Sequence, residues 1–328
     1  MLIPPKYNLI PKISELLSSI EASREVIDSI SILPEIEQNI RRTSSLKSSL
    51  FSARIEGNEL TLDDLGGPSK TQAKAEVFNT LKALNYVAIK SKKDINIDEL
   101  LQIHRLTMQG LTDISSLGTF RSEMSATFNK AGVAIYMHPP PRYIPVLVKR
   151  MIKFINSPRE RFVPIKAALA HYSFEKIHPF LDGNGRVGRL LTQKILIQGG
   201  YGMKGLLAIE EYIDNNRTDY YRALEEPEKD VTDYLIFILE SIETTAKKAK
   251  QEILAKQNVD RADFLLPRRA EIYRIIKDQK MVNFDQIRRR FLKVNQRTLR
   301  YDLKKLQDDR FVKKLGSTRG VYYTIART

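Results

Sequence analysis

The stretch P-I-K-A-A-L-A-H-Y-S-F-E-K-I at 164–177 has Ala, Leu, Tyr, Phe or Ile on nearly every face of a helix. A helix that is apolar all round must be covered on all sides by other elements. Pro164 suits its first turn, where a missing N–H costs nothing. The rest of the chain supplies helices to cover it. Apolar spacing predicts helices through 12–50, with Ile13, Leu16, Leu17 and Ile20 on one face, and over 73–90, with Val77, Leu81, Leu84 and Val87. The L-G-G-P-S-K at 65–70 marks a loop between them. More helices are predicted over 97–109, capped by Gly110, over 143–156 and 186–198, and through most of 216–256. One segment departs from this pattern. Residues 119–137 place two apolar-aromatic arms around N-K-A-G and read as a β-hairpin, followed by a proline-rich turn at 138–145. The expected fold is mainly α, a helical bundle carrying one hairpin.

Charge divides the chain. Residues 261–328 hold 19 Lys and Arg against 7 Asp and Glu, which is +12 of the chain's +15. A length of 328 residues suits two domains or more. We expect an N-terminal helical region at 1–72, a core at 73–244, a helical linker at 245–262 and a basic unit at 263–328. That unit reads as a first helix at R-R-A-E-I-Y-R-I-I-K-D-Q, a short second at N-F-D-Q-I-R-R-R-F and a third from an Asn295 cap, then two strands around G-S-T-R-G. Three helices and a hairpin resemble a winged helix-turn-helix domain. Arg297, Arg300 and Lys304 would then share the face of the third helix turned to DNA, and Lys313, Lys314 and Arg319 would lie on the wing. DNA is therefore a candidate partner, and a second copy of the chain is another. The chain contains no cysteine, which excludes disulfides and Cys-based zinc sites and suits a cytoplasmic protein. The N-terminus lacks the pattern of a secretory signal, and Y-L-I-F-I-L is too short to span a membrane.

The chemistry concentrates at 178–189, H-P-F-L-D-G-N-G-R-V-G-R. Gly183 to Gly188 match the G-x-G-x-x-G dinucleotide fingerprint in letters. That fingerprint needs a strand before it and a parallel sheet around it, whereas here an Ala-rich helix precedes it. No G-x-x-x-x-G-K-[ST] loop is present either. A glycine loop running straight into a helix still offers backbone N–H groups and a positive dipole end to an anion. Arg186 and Arg189, three apart, suit a di- or triphosphate. Asp182 would repel phosphate unless it holds Mg²⁺, which bridges carboxylate and phosphate oxygens. His178 at the loop's mouth can accept a proton from a hydroxyl. Together these groups suit transfer from a nucleotide phosphate to a hydroxyl.

The twelve residues resemble the H-x-F-x-[D/E]-G-N-G-R-x-x-R signature of the Fic family, whose helical bundle with a hairpin flap agrees with the reading of 1–240. The resemblance implies a protein adenylyltransferase that moves AMP from ATP to a Ser, Thr or Tyr hydroxyl of a target protein. It implies His178 as general base, Phe180 as an anchor under the loop and Asp182 as the Mg²⁺ ligand. It implies Gly183, Asn184, Gly185, Arg186 and Arg189 around the phosphates, with Tyr220 and Tyr221 on the adenine side. Where some relatives carry an asparagine further on, this chain has Glu228.

Upstream, S-A-R-I-E-G-N-E at 52–59 places Gly57 as a helix C-cap and Glu56 in the last turn, where a carboxylate needs a cation nearby. The stretch resembles the family's inhibitory motif through Ser52, Glu56 and Gly57. This implies that Glu56 pairs with Arg189 and blocks the γ-phosphate; in some relatives the same glutamate supports removal of AMP from the target. The hairpin at 119–137 would pair with an extended target segment by strand addition. The other histidines take structural readings: His171 as a hydrogen-bonded core residue, His138 in the proline turn, His104 on a helix surface. The competing function is a DNA-binding regulator that senses nucleotide without turning over a target, and the presence of both His178 and Asp182 favours catalysis. Another phosphate-derived donor remains open.

Overall fold

The structure, a computed structural model, describes residues 1–66, 71–89, 94–128, 133–257, 265–316 and 320–326. The chain forms two compact units, Met1–Gln257 and Asn258–Thr328.

The first unit is helical. Helices α1 (Pro11–Ser29) and α2 (Pro34–Ile55) lead into α3 (Gln72–Val87) and α4 (Ile97–Met108). The hairpin β1 (Ala126–Phe128) and β2 (Ala134–Met137) follows, then α5 (Ile144–Ile155), α6 (Val163–Ile177) and α7 (Asn184–Gln198). Helices α8 (Ile209–Asn215), α9 (Arg217–Leu224) and α10 (Thr232–Gln257) complete it. Helix α6 is the centre: Ile165, Ala167, Ala168, Ala170, Phe174 and Ile177 are all fully buried. It packs on α5, α7 and α10, while α2, α3 and α4 cover α7 and α1 lies along α10. The all-round apolar sequence of 164–177 thus has neighbours on every side, as its composition requires.

Helix α10 runs to Gln257 with Ala246, Ala249 and Ile253 buried, because the apolar positions between its lysines keep helical spacing. The hairpin is shorter than the expected 119–137. Only Ala126↔Met137, Thr127↔Tyr136 and Phe128↔Ala134 pair, with an irregularity after Thr127, and the N-K-A-G turn at 129–132 lies outside the described residues. Phe128, Val133, Ile135 and Met137 leave apolar surface exposed there. No described helix is long and apolar enough to cross a membrane.

Helix α2 ends as Gly57 predicts. Gly57 takes φ +101°, its N–H donates to Arg54 O at 2.9 Å, and Asn58 N–H donates to Ala53 O at 3.2 Å. This paired closure of the last carbonyls needs a residue free to adopt positive φ. It leaves Glu56 at the helix end.

The second unit contains α11 (Pro267–Gln279), β3 (Met281–Asn283), α12 (Phe284–Arg290), α13 (Gln296–Asp308), β4 (Val312–Leu315) and β5 (Tyr322–Ile325). The three strands form one antiparallel sheet in the order β3-β5-β4. Strand β3 was not expected. Three residues are too few for a visible alternation, and Val282 becomes a strand residue only because Tyr323 lies opposite. Ile272, Ile276, Val282, Ile287, Leu299 and Leu306 fill the core. The buried Asp302 accepts from Arg268 Nε at 2.6 Å and Arg269 Nε at 2.9 Å, tying α13 to the start of α11. On the other side of α13, Arg297, Arg300 and Lys304 are exposed, and Arg300 lies over the Phe284 ring at 4.3 Å. Asn295 caps α13 through the Arg297 N–H. Lys313 and Lys314 are exposed on β4, and Arg319 lies outside the described residues.

Candidate active site

The loop between α6 and α7 forms the site. Helix α6 ends at His178, whose backbone takes the left-handed region at φ 49° and ψ 63°. A side chain there is strained and has to be held by its surroundings. Asn184 supplies one hold: its Oδ1 accepts from Phe180 N and its Nδ2 donates to Phe180 O, both at 2.9 Å. Both ends of the amide bond Phe180 and Asn184 is buried, so its side chain braces the loop. Asn184→Ala leaves two buried backbone groups unpaired and is expected to cost about 2 kcal/mol, read as a lower denaturant midpoint with unchanged slope.

Phe180 is fully buried and stacks on His104, with ring centroids 3.9 Å apart. His104 is buried too, against the expectation of a surface position, because the face of α4 it shares with Leu100, Ile103 and Met108 turns inward. Its Nδ1 accepts from Gly118 N–H at 2.9 Å, which assigns the proton to Nε2, and Nε2 donates to Asp182 O at 3.2 Å. Burial lowers its pKa to about 4, so the ring is neutral. Glycine is required at 183: φ is +79° and a Cβ would lie 2.5 Å from Met108 Sδ.

The cations stand under this loop. Arg186 is 5% and Arg189 1% exposed. Arg186 Nε and Nη1 and Arg189 Nη1 are buried without hydrogen-bond partners among the described residues. Buried guanidinium donors left unspent beside a helix N-terminus fit an anionic ligand. Arg189 spends its other donors on α2. Nε donates to Ser52 Oγ at 3.0 Å, and Nη2 donates to Ser52 O at 2.8 Å and to Glu56 Oε1 at 2.9 Å. A Cβ at Gly185 would lie 2.2 Å from Glu56 Oε1, so this carboxylate sits directly over the glycine loop. Asp182 reaches out from the same loop with its side chain 64% exposed, and Oδ1 lies 3.8 Å from Arg186 Nη2 and accepts from Gly183 N–H. No cluster of three or more His, Cys, Asp or Glu suited to a metal occurs among the described residues. A Mg²⁺ held by one carboxylate and by phosphate oxygens needs no such cluster, and Asp182 fits that mode.

His178 faces the same space. Burial lowers its pKa below the ordinary 6.5, with a bond to the Glu175 backbone opposing the shift. The aromatic pair divides. Tyr220 is a core residue, 1% exposed and bonded through its hydroxyl to His171 Nε2 at 2.8 Å. Tyr221 is 43% exposed and its hydroxyl donates to Ile55 O at 3.3 Å, beside Glu56. Glu228 is tied to the N-terminal segment, accepting from Leu2 N–H.

Three groups were not singled out from sequence for this site: Arg121, which bonds His178 O; His138, which stacks on His178; and Glu175, whose Oε1 lies over Gly188. Burial raises the Glu175 pKa to about 8, against the pull of Arg189, so it is largely protonated at neutral pH. The only available signal was its place three residues before His178, close to one helical turn.

The chain is similar to known proteins in sequence and fold. Residues 94–196 match the model of the Fic/DOC family. The chain is 28% identical over 243 residues to Protein adenylyltransferase Fic of Drosophila melanogaster, covering 70% of this chain and 47% of that protein. The protein of the same name from Drosophila yakuba is 29% identical over 198 residues, covering 56% of this chain and 39% of its own length. The chain thus spans about half or less of the length of these curated relatives. A crystal structure of a Fic family protein from Desulfovibrio desulfuricans G20 has a TM-score of 0.69 at 23% identity, covering 99% of this chain and 98% of that one. Fic-1 (aa134–508) from C. elegans has a TM-score of 0.61 at 21% identity, covering 74% and 73%.

Proposed function

We propose that the chain, whose residues 94–196 match the model of the Fic/DOC family, is a protein adenylyltransferase restrained by Glu56. The observation that carries this reading is a neutral imidazole, His178, beside a glycine loop whose buried arginine donors are partly unspent. In the reaction a Ser, Thr or Tyr hydroxyl of a target protein attacks the α-phosphorus of ATP. Its proton passes to His178, a P–O bond to the target forms, and the bond to the departing pyrophosphate breaks. Gly185 brings a backbone N–H to the phosphates, Gly183 gives the loop its left-handed turn, and Arg186 and Arg189 balance the charge that develops on the leaving group. Asn184 and Phe180 hold the loop in shape. Asp182 would hold a Mg²⁺, which supplies neutralisation of phosphate charge when bound. Glu56 takes the Arg189 donor that a γ-phosphate would use, and this is the restraint. The same carboxylate could orient a water for the reverse removal of AMP from the target. The test is incubation of wild type and Glu56→Gly with Mg²⁺ and ATP labelled at the α-phosphate, followed by a search for label on protein.

A second reading concerns the basic unit. Its three helices and three-stranded sheet support a winged helix-turn-helix domain, with α13 toward DNA. The observation behind it is the exposed row Arg297, Arg300 and Lys304, opposite the face held by Asp302. Duplex binding is expected to weaken linearly in log–log form with salt. Arg297→Ala and Lys304→Ala should each reduce that slope by about 1. Salt-independent binding, or no binding at low salt, would remove this reading.

A further inference from the structure

Arg121 is a guanidinium 5% exposed, and among the described residues it has no ion-pair partner. Burial of an unpaired charge is costly, so the site must gain from its shape. Each of its three side-chain nitrogens donates to a backbone carbonyl. Nε donates to His178 O at 2.8 Å, Nη1 to Glu123 O at 2.6 Å, and Nη2 to Pro139 O at 2.7 Å and Ile177 O at 3.4 Å. The Arg121 N–H adds a bond to Pro179 O at 2.9 Å. Two of these carbonyls, Ile177 and His178, belong to the C-terminal end of α6, where carbonyls lack helical partners and a cation is favoured. Glu123 and Pro139 bracket the hairpin, one before β1 and one after β2. One rigid fork therefore joins the strained end of α6 to both legs of the hairpin.

The hairpin returns a second contact. The His138 ring stacks on the His178 ring with centroids 4.1 Å apart and planes 6° apart. Both nitrogens of His138 are tied to residues at β1: Nδ1 to Ser125 Oγ at 3.1 Å and Nε2 to Thr127 Oγ1 at 3.2 Å. Its N–H donates to Ser125 O at 3.0 Å. The His138 plane is thus set by the hairpin, and the His178 plane is set by His138.

We propose that Arg121 is a positioning residue that locks the β1–β2 hairpin to His178, with His138 as the surface against which the His178 imidazole is set. Its kinetic consequence rests on the transfer reading above; its geometric content does not. A helix cap alone would need only the α6 carbonyls. The bonds to Glu123 and Pro139 make the hairpin edge and the proton acceptor one rigid body, which fixes where a hydroxyl presented on the hairpin meets the imidazole. Lysine offers a point charge on a flexible stem and cannot span the two sets of carbonyls at once.

The experiment uses the full chain in the Glu56→Gly background, with and without Arg121→Lys, and measures three things: label transfer from Mg·ATP, Mg·ATP affinity by calorimetry, and the histidine ring resonances. With four histidines in the chain, ring signals can be assigned by single substitutions. Arg121→Lys is expected to lower the turnover rate by about 100-fold, the cost of a misplaced reacting group, while ATP affinity stays within about twofold. The His138 and His178 ring signals should lose their mutual ring-current displacement. Unchanged rings with unchanged turnover would overturn the proposal and leave Arg121 as a helix cap. If Glu56→Gly transfers no label at all, the transfer reading falls, and the ring signals alone then decide the positioning claim. If Arg121→Lys does not fold, His138→Ala carries the test. It should shift the His178 signals and lower turnover by about tenfold, and no change in either would overturn the proposal.

Discussion

Glu56→Gly is expected to raise label transfer from ATP by about 10- to 100-fold, equivalent to roughly 1.4–2.8 kcal/mol of competition removed. The size follows from the environment of the pair. Arg189 is 1% exposed and the Glu56 side chain 37%, so the bond lies between an exposed pair, worth little, and a fully buried one. An incoming phosphate must displace Glu56 Oε1 from both Arg189 Nη2 and the space over Gly185 before it can use either. The substitution should not harm folding, since Glu56 has φ −86° and ψ 7° at the end of α2, a conformation open to glycine. Nor does it strand Arg189. Glu56 is one of the influences that raise the Glu175 pKa, so its loss lets Glu175 ionise more readily beside the same guanidinium. Label at the wild-type level in the Glu56→Gly protein would show that the pair is structural.

His178→Ala, placed in the Glu56→Gly background, is expected to lower transfer by about 10²–10⁴-fold, the range for loss of a general base. Mg·ATP affinity should hardly move, because none of the phosphate-facing donors belongs to His178. The pH profile of the unsubstituted base carries the same claim. Burial holds the His178 pKa below 6.5, so the proton-accepting form persists as pH falls through 6.5, and the acid limb of transfer should lie below that value. An acid limb above 6.5, or transfer surviving in His178→Ala, would assign the proton to another group. Alanine is also unfavourable in the left-handed conformation of residue 178, so part of any fall in thermal midpoint is backbone strain and is read separately from turnover.

The site was legible to the extent that it is contiguous. His178, Asp182, the glycines and both arginines lie within one loop and the helix start that follows, and their spacing alone suggests an anion cradle with a base at its edge. That the Asn184 amide bonds Phe180 at both ends shows only in the closed loop. The surface reading of His104 fails, since a polar aromatic group in an amphipathic helix gives no sign of which neighbour will cover it.

Local features could be read from the residues alone: the buried helix at 164–177, the glycine loop after it, the closure of α2 at Gly57 and the basic character of 261–328. Helical periodicity, caps and charge act over a few residues and need no partner to be read. Contacts between distant parts of the chain emerged only from its packing. Ser52 and Glu56 meet Arg189 over separations of 137 and 133 residues, and Arg121 reaches His178 over 57. A guanidinium chooses among many carboxylates and carbonyls, and which of them it finds depends on how the helices pack.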